Sequence, residues 1–275
     1  MSMLAFIVPL THPAACRSWG SVLIRLQETL RSIESCIKNN MAFGVVVANH
    51  EAELPKMPSG IHVLRINLAP PTISVFSGEV PEDQRRKVKR LDKGTKVLFG
   101  SMFARDQGAQ YIMNVDADDL ISRRIPGYVA TNKGAPGWYV NEGWVLPVGS
   151  KWAYRAENFD HLCGTSLIIR TDLFNIPDSI KKNSPKTISR NFGSHKFIAD
   201  DLAAKGYPLE PIPFAASVYR TGHGENNSNP GSLFELYFKR NWSPLNPVNF
   251  LGKIAKLRPF GNRLRQEFHA GLHLE

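Results

Sequence analysis

Short apolar runs alternate with helical stripes through the first half of the chain. Leu4-Ala5-Phe6-Ile7-Val8 is continuous and apolar, and Pro9 with Thr11-His12-Pro13 ends it, which predicts a buried strand entering a turn. From about Trp19 to Asn39, the residues Val22, Leu26, Leu30, Ile33 and Ile37 recur every three or four positions. That is one apolar stripe of a helix, stopped by Asn39-Asn40. Phe43 to Ala48 and Ile61 to Leu68 predict two further strands, the second broken by Ala69-Pro70-Pro71. A basic stretch then leads into a helix from about Thr95 to Asp106, closed by Gly108. Tyr111 to Val115 predicts a strand that runs straight into Asp116-Ala117-Asp118-Asp119.

The second half is richer in aromatic residues and glycine. Gly137 to Val145 reads as a strand or hairpin, and Leu167 to Arg170 as a strand. Phe192 to Lys205 reads as a helix carrying Asp200-Asp201, and a strand near Pro211 to Tyr219 precedes the polar loop that begins Thr221-Gly222-His223. No internal repeat or heptad is visible. The order of elements predicts an α/β fold with a mostly parallel sheet, in which ligands bind beyond the carboxyl ends of the strands.

Composition adds little to the fold and more to the partners. The 275 residues are 43% hydrophobic, with 21 Gly and 19 Pro, inside the ordinary globular range. The apolar run at the N-terminus is far shorter than the roughly 20 residues that cross a bilayer, and no basic residue precedes it. Three cysteines at wide spacing (Cys16, Cys36, Cys163) suggest neither a disulfide framework nor a zinc knuckle, so a reducing cytoplasm is expected. The net charge of +10 is local: residues 85–96 hold seven Lys or Arg against Asp92, and residues 235–275 hold seven against three Glu. Such patches point to phosphate, polyanion or membrane-surface contacts.

Three aspartates within four residues at a strand end repel one another, and a hard cation such as Mg²⁺ or Mn²⁺ makes the arrangement tolerable. Such an ion typically takes one or two carboxylates and completes its shell with substrate phosphates and water, which implies a phosphorylated substrate. A solvated Asp-rich turn is the plain alternative.

The order of a strand ending in Asp-x-Asp-Asp, the glycine-containing segment Cys163-Gly164-Thr165-Ser166-Leu167-Ile168, a helix with Asp200-Asp201-Leu202, and then His223 resembles the inverting nucleotide-sugar-dependent glycosyltransferases of the GT-A fold, especially family 2. The resemblance covers roughly residues 3 to 225. It implies a GT-A-type, Rossmann-like mixed sheet flanked by helices. The catalytic domain would span residues 1–232, with a nucleotide-binding half to about 120 and an acceptor half beyond it. Residues 233–275 would form a basic aromatic extension. By the same resemblance Asp116 lies near the ribose or metal, Asp118 binds the metal, and His223 completes its shell. Cys163-Gly164 would lie beside the donor sugar, and Asp201, the second member of the pair with Asp200, would be the general base. Pro9, Thr11, Asn49 and Glu51 match the segments that hold the nucleotide base, and Lys93 a loop that contacts the diphosphate. The loop from Thr221 to Ser232 would order over bound diphosphate.

The expected activity is therefore metal-dependent, inverting transfer of a sugar from a UDP- or GDP-sugar to a glycan, lipid-linked or cell-envelope acceptor, as in polysaccharide biosynthesis. The basic extension could lie on an anionic membrane or pack on the domain. Nucleic acid is not an expected partner. Two alternatives stand beside this one. A sugar nucleotidyltransferase would share the sheet and the acidic residues, but no glycine-rich loop follows the first strand. A polyanion- or membrane-binding module would explain the basic patches and leave the aspartates unexplained.

Overall fold

The computed structural model describes residues 3–37, 40–71, 80–180, 183–222 and 255–269. His223, most of the loop around it, and most of the 233–275 extension lie outside the described residues.

The core is a seven-stranded mixed sheet, four strands of which lie side by side and parallel. β1 (Leu4–Pro9) lies between β2 (Ala42–Asn49) and β4 (Tyr111–Asn114), parallel to both, and β3 (Ile61–Ile66) extends the sheet parallel to β2. On the other side of β4 comes β9 (Leu167–Arg170), antiparallel to it, followed by β6 (Gly137–Tyr139) and β10 (Glu210–Pro211). This is the mostly parallel, helix-flanked sheet that the order of elements predicts.

All six residues of β1 are buried, as a strand covered on both faces requires. Its side chains alternate. Leu4, Phe6 and Val8 pack with Val22, Leu26, Leu30 and Ile33 of α1 (Trp19–Ile37). Ala5 and Ile7 pack on the opposite face with Val97 and Leu98 of α2 (Glu82–Asp106). Each fully buried Leu or Ile contributes about 1.5–3 kcal/mol, so these two faces hold the sheet between its helices.

Three sequence expectations are corrected here. The helix expected from about Thr95 begins at Glu82, because the basic stretch is itself helical and carries cations where an ordinary helix carries apolar residues. The Gly137–Val145 segment is not a hairpin: β6 joins the main sheet, while β7 (Glu142–Pro147) joins a second one. The helix expected from Phe192 splits into α5 (Pro185–Asn191) and α6 (Ile198–Ala204), with residues 192–197 forming a non-helical strap between them. α3 (Ile125–Thr131) and α4 (Phe159–Leu162) complete the series before these.

The second sheet runs β12 (Leu257–Pro259), β8 (Trp152–Glu157), β7, β11 (Ser217–Thr221), β5 (Leu120–Ile121). The described part of the C-terminal extension packs on this sheet. β12 pairs antiparallel with β8, and Phe260 together with Phe268 of α7 (Asn262–Phe268) is buried against Leu120, Trp144, Ala153 and Val218. Among the described residues no helix is long and apolar enough to cross a membrane.

Candidate active site

The parallel strands β1, β2 and β4 end at one edge of the sheet, and a cleft of about 520 Å³ opens there. That volume lies within the usual range for a small-molecule site. Its lining includes Pro9 and Thr11 after β1, Asp116 and Asp118 after β4, Cys163 and Gly164 before β9, and Lys93 of α2. The structure thus brings seven of the sequence-expected residues together.

At the floor of the cleft the Lys93 ammonium pairs with the Asp116 carboxylate. Both side chains remain about a quarter exposed (27% and 29%), so the pair is open to a ligand. Burial works against the Lys93 charge, but Asp116 outweighs it and holds the ammonium above its ordinary pKa. Gly164 makes room for the pair. A Cβ there would lie 2.9 Å from both the Asp116 Oδ2 and the Lys93 Nζ, so a larger residue would displace the ion pair or itself.

Asp119 has a different role from its neighbours. It is fully buried, and its carboxylate accepts hydrogen bonds from the Thr165 hydroxyl at 2.6 Å, the Cys163 thiol at 3.1 Å and the Arg220 N–H at 3.3 Å. Burial, and then the charges of Asp118 and Asp116, push its pKa well above the ordinary carboxylate value. Burial likewise raises the Cys163 thiol, so this cysteine is a protonated hydrogen-bond donor rather than a thiolate. Thr165 also accepts the Asp116 N–H at 2.9 Å, which ties the acidic turn to the segment leading into β9. Arg220 of β11 closes the knot from behind. Its guanidinium donates to the Asp118 carbonyl and pairs with Glu28, while burial lowers its pKa to about 9.

The strap between α5 and α6 adds a further wall, packed against α2. α2 meets the strap and α5 backbone to backbone: a Cβ on Gly193 would lie 2.1 Å from the Arg90 carbonyl oxygen, and one on Gly94 would lie 2.7 Å from the Ile188 carbonyl of α5. This close approach sets Ser194, His195 and Lys196 beside Lys93 in the lining. His195 is bonded to the His161 backbone, and its Nε2 is buried with no hydrogen-bond partner. Burial, then the charges of Lys93 and Lys196, lower its pKa to about 3, so the imidazole is neutral.

Several expected residues are elsewhere. Asp201, expected as the base, is on the first turn of α6, outside the cleft lining, with its carboxylate gripped by both terminal nitrogens of Arg190. The Arg190 hydrogen bond lowers its pKa. Asp200 is exposed, and it too lies outside the lining. Asn49 is fully buried and donates to the Leu68 carbonyl at 2.6 Å, so it fastens the end of β2 to the chain after β3. Glu51 lies 2.6 Å from the His12 ring. Neither lines the cleft. His195, His161, Lys196 and Arg25 line it without having been singled out in the sequence. The turn-forming residues Asn191, Gly193 and Ser194 just before His195 were the available signal, and they were absorbed into an over-long helix.

The fit of a divalent cation follows from the same geometry. Asp116 is engaged by Lys93 and Asp119 by three donors, and the described residues contain no group of three His, Cys, Asp or Glu placed to hold a metal. Asp118, half-buried in the lining, offers one carboxylate. That donor set does not make an all-protein cage. It fits a Mg²⁺- or Mn²⁺-type site completed by substrate phosphates and water.

No protein-family model and no curated protein matches the chain. Among solved structures it is similar to S. aureus TarS residues 1–349, at 11% identity and a TM-score of 0.40, over 79% of this chain and 60% of that one. It is similar to a proposed nucleotide-diphospho-sugar transferase from Desulfovibrio desulfuricans G20, at 10% identity and a TM-score of 0.38, over 93% and 96% of the two chains. A cytidylyltransferase from Leptospira borgpetersenii gives 13% identity and a TM-score of 0.38 over 92% and 94%. The chain thus spans about three-fifths of the TarS fragment. Likenesses at this level bear on neither substrate nor mechanism, which rest on the site itself.

Proposed function

We propose that the chain is a nucleotide-sugar-dependent glycosyltransferase that moves a sugar from a nucleoside-diphosphate donor to an acceptor hydroxyl. The observation that carries this reading is the convergence of Lys93, Asp116, Asp118 and Gly164 in one cleft at the carboxyl edge of a parallel sheet. The residue pattern that resembles family 2 supports the donor class and inversion at the anomeric carbon.

In this reading the donor diphosphate meets Lys93, whose ammonium donates to the phosphate oxygens and offsets the charge that grows as the sugar leaves. Asp118, with His223 outside the described residues, would hold Mg²⁺ or Mn²⁺. Neutralisation of the departing diphosphate is the chemistry such an ion supplies when bound. Pro9 and Thr11 border the nucleotide end of the cleft. His195, held neutral by burial and by the charges of Lys93 and Lys196 with a pKa of about 3, is too weak a base for the acceptor proton. That proton goes to Asp201, as the resemblance implies, once a bound substrate releases its carboxylate from the exposed pair with Arg190. A positioned base of this kind typically contributes about 10²–10⁴-fold.

The test is release of nucleoside diphosphate from a panel of UDP-, GDP-, CDP- and TDP-sugars, with a glycan acceptor mixture and Mn²⁺. Turnover of one donor class is expected. Release of pyrophosphate from a nucleoside triphosphate and a sugar phosphate, with no turnover of any nucleotide sugar, would favour the nucleotidyltransferase reading.

A further inference from the structure

The turn between β7 and β8 stands out from the second sheet. Its apolar side chains are exposed, Val148 at 60% and Trp152 at 52%. Gly149 between them has a φ of +74°, and a Cβ there would meet nothing within 4 Å, so the turn projects into open space. The Ser150 hydroxyl fixes its shape, accepting the Trp152 N–H at 3.0 Å and donating to the Trp152 carbonyl at 2.8 Å. Trp152 is paired across the sheet with Pro259 of β12, and the Phe260 N–H donates to the Lys151 carbonyl, so the described C-terminal strand backs the hairpin. Charge around this tip has one sign. Residues 143–156 and 255–266 hold six Lys or Arg and no Asp or Glu. Arg155 and Lys256 pair with Glu142 and Glu157, which face each other at the end of the hairpin away from the turn. Lys151 and Arg258 are exposed beside Trp152 and Pro259, and pair with no carboxylate among the described residues.

We propose that this hairpin tip, Val148 and Trp152 flanked by Lys151 and Arg258, is the contact through which the protein lies on an anionic phospholipid surface. A tryptophan ring suits the boundary between headgroups and acyl chains, and cations beside it are drawn to anionic headgroups. The projecting turn can enter the headgroup layer. Two exposed apolar side chains are far too little for a stable protein–protein interface, which needs about 1,000 Å². The same pair is enough for shallow, reversible insertion that draws on both apolar burial and charge. The tip also borders the cleft: the Val148 N–H donates to the Thr221 carbonyl at 2.9 Å, and Thr221 stands two residues after Tyr219 of the cleft lining on β11. Membrane contact here brings that rim of the cleft toward the headgroups. The inference stands on the hairpin alone and does not depend on the donor reading.

The test is co-sedimentation of the full chain with vesicles of phosphatidylglycerol and phosphatidylcholine in equal parts, and with phosphatidylcholine alone, at low and at physiological salt. The expected result is binding to the mixed vesicles that weakens with salt, at least tenfold weaker in V148S/W152S and several-fold weaker in K151Q/R258Q. Tryptophan emission should shift to the blue when mixed vesicles are added. That shift should be largely lost in W152F, which keeps a ring at the tip and with it most of the binding. If V148S/W152S does not fold, K151Q/R258Q and the W152F emission decide. No binding to the mixed vesicles would overturn the proposal, and so would equal binding by wild type and V148S/W152S, which would move the contact to another face. Shielding of Trp152 from acrylamide in the free protein, read as the difference between wild type and W152F, would mean that the chain covers its own tip. Self-association abolished by V148S/W152S, with no vesicle binding, would give the tip to a second copy. Either of these also overturns it.

Discussion

The ammonium of Lys93, on α2, is paired with the carboxylate of Asp116, at the end of β4, directly over the space that Gly164 leaves empty. This places a fixed positive charge where the sheet delivers its aspartates. Lys93→Ala should therefore weaken binding of the nucleoside diphosphate about 10- to 100-fold, the loss expected for a hydrogen bond to a charged group. Equilibrium binding with a melting curve as control checks this. Unchanged affinity would remove Lys93 from the donor site.

Asp119 should behave as a structural residue. Its carboxylate accepts from Thr165, Cys163 and Arg220, so Asp119→Asn, which puts an amide against those donors, should cost about 1–3 kcal/mol in a chemical denaturation experiment. A neutral effect would show that the knot is not under constraint.

Gly193→Ala forces a Cβ to within 2.1 Å of the Arg90 carbonyl oxygen. The strap must move, at a cost of about 1–3 kcal/mol, and His195 moves with it. Turnover should fall further than stability alone explains, which a comparison of activity with folded fraction would reveal.

Two substitutions separate the candidate bases. Asp201→Asn breaks an ion pair whose side chains are 41% and 46% exposed, so stability should stay within about 1 kcal/mol, while turnover should fall by about 10²-fold or more. His195→Gln, which removes a ring that resists protonation, should leave turnover within about tenfold. The reverse pattern would make His195 the base.

His195 also has a signature in stability. Its folded-state pKa of about 3 lies below the ordinary value of 6.5, so the unfolded chain binds the extra proton first. Its contribution is complete above about pH 6.5 and declines as pH falls from there toward 3. The charged groups acting on it are Lys93, Lys196 and Arg90. Urea melts at several pH values should show a shallower acid decline in His195→Gln than in wild type. Parallel curves would mean that the imidazole is not held neutral.

How much of this was legible in the sequence depends on which signal each residue carried. β1, α1, β2 and β4 were readable because Leu4–Val8, Val22–Ile37, Phe43–Ala48 and Tyr111–Val115 each carry one clear apolar pattern and are buried accordingly. The first half of α2 was not, because its inward stripe is Arg86, Lys89, Arg90 and Lys93, and a periodicity argument looks for apolar residues there. The strand-end pair Asp116 and Asp118 was readable from its position alone. Asn49 and Glu51 were misplaced because a strand end fixes a residue's height on the sheet but not the direction of its side chain. His195 was hidden because the break at Gly193 depends on a contact with Arg90, about a hundred residues earlier in the chain.

The central claim is that this cleft binds a nucleoside diphosphate. Calorimetry with UDP, GDP, CDP and TDP, with and without Mn²⁺, on wild type, Lys93→Ala and Asp118→Ala, tests it most directly. The account predicts that one nucleotide binds, that Lys93→Ala weakens it with or without metal, and that Asp118→Ala removes the Mn²⁺-dependent part. Binding of none of them to the wild-type protein would contradict it.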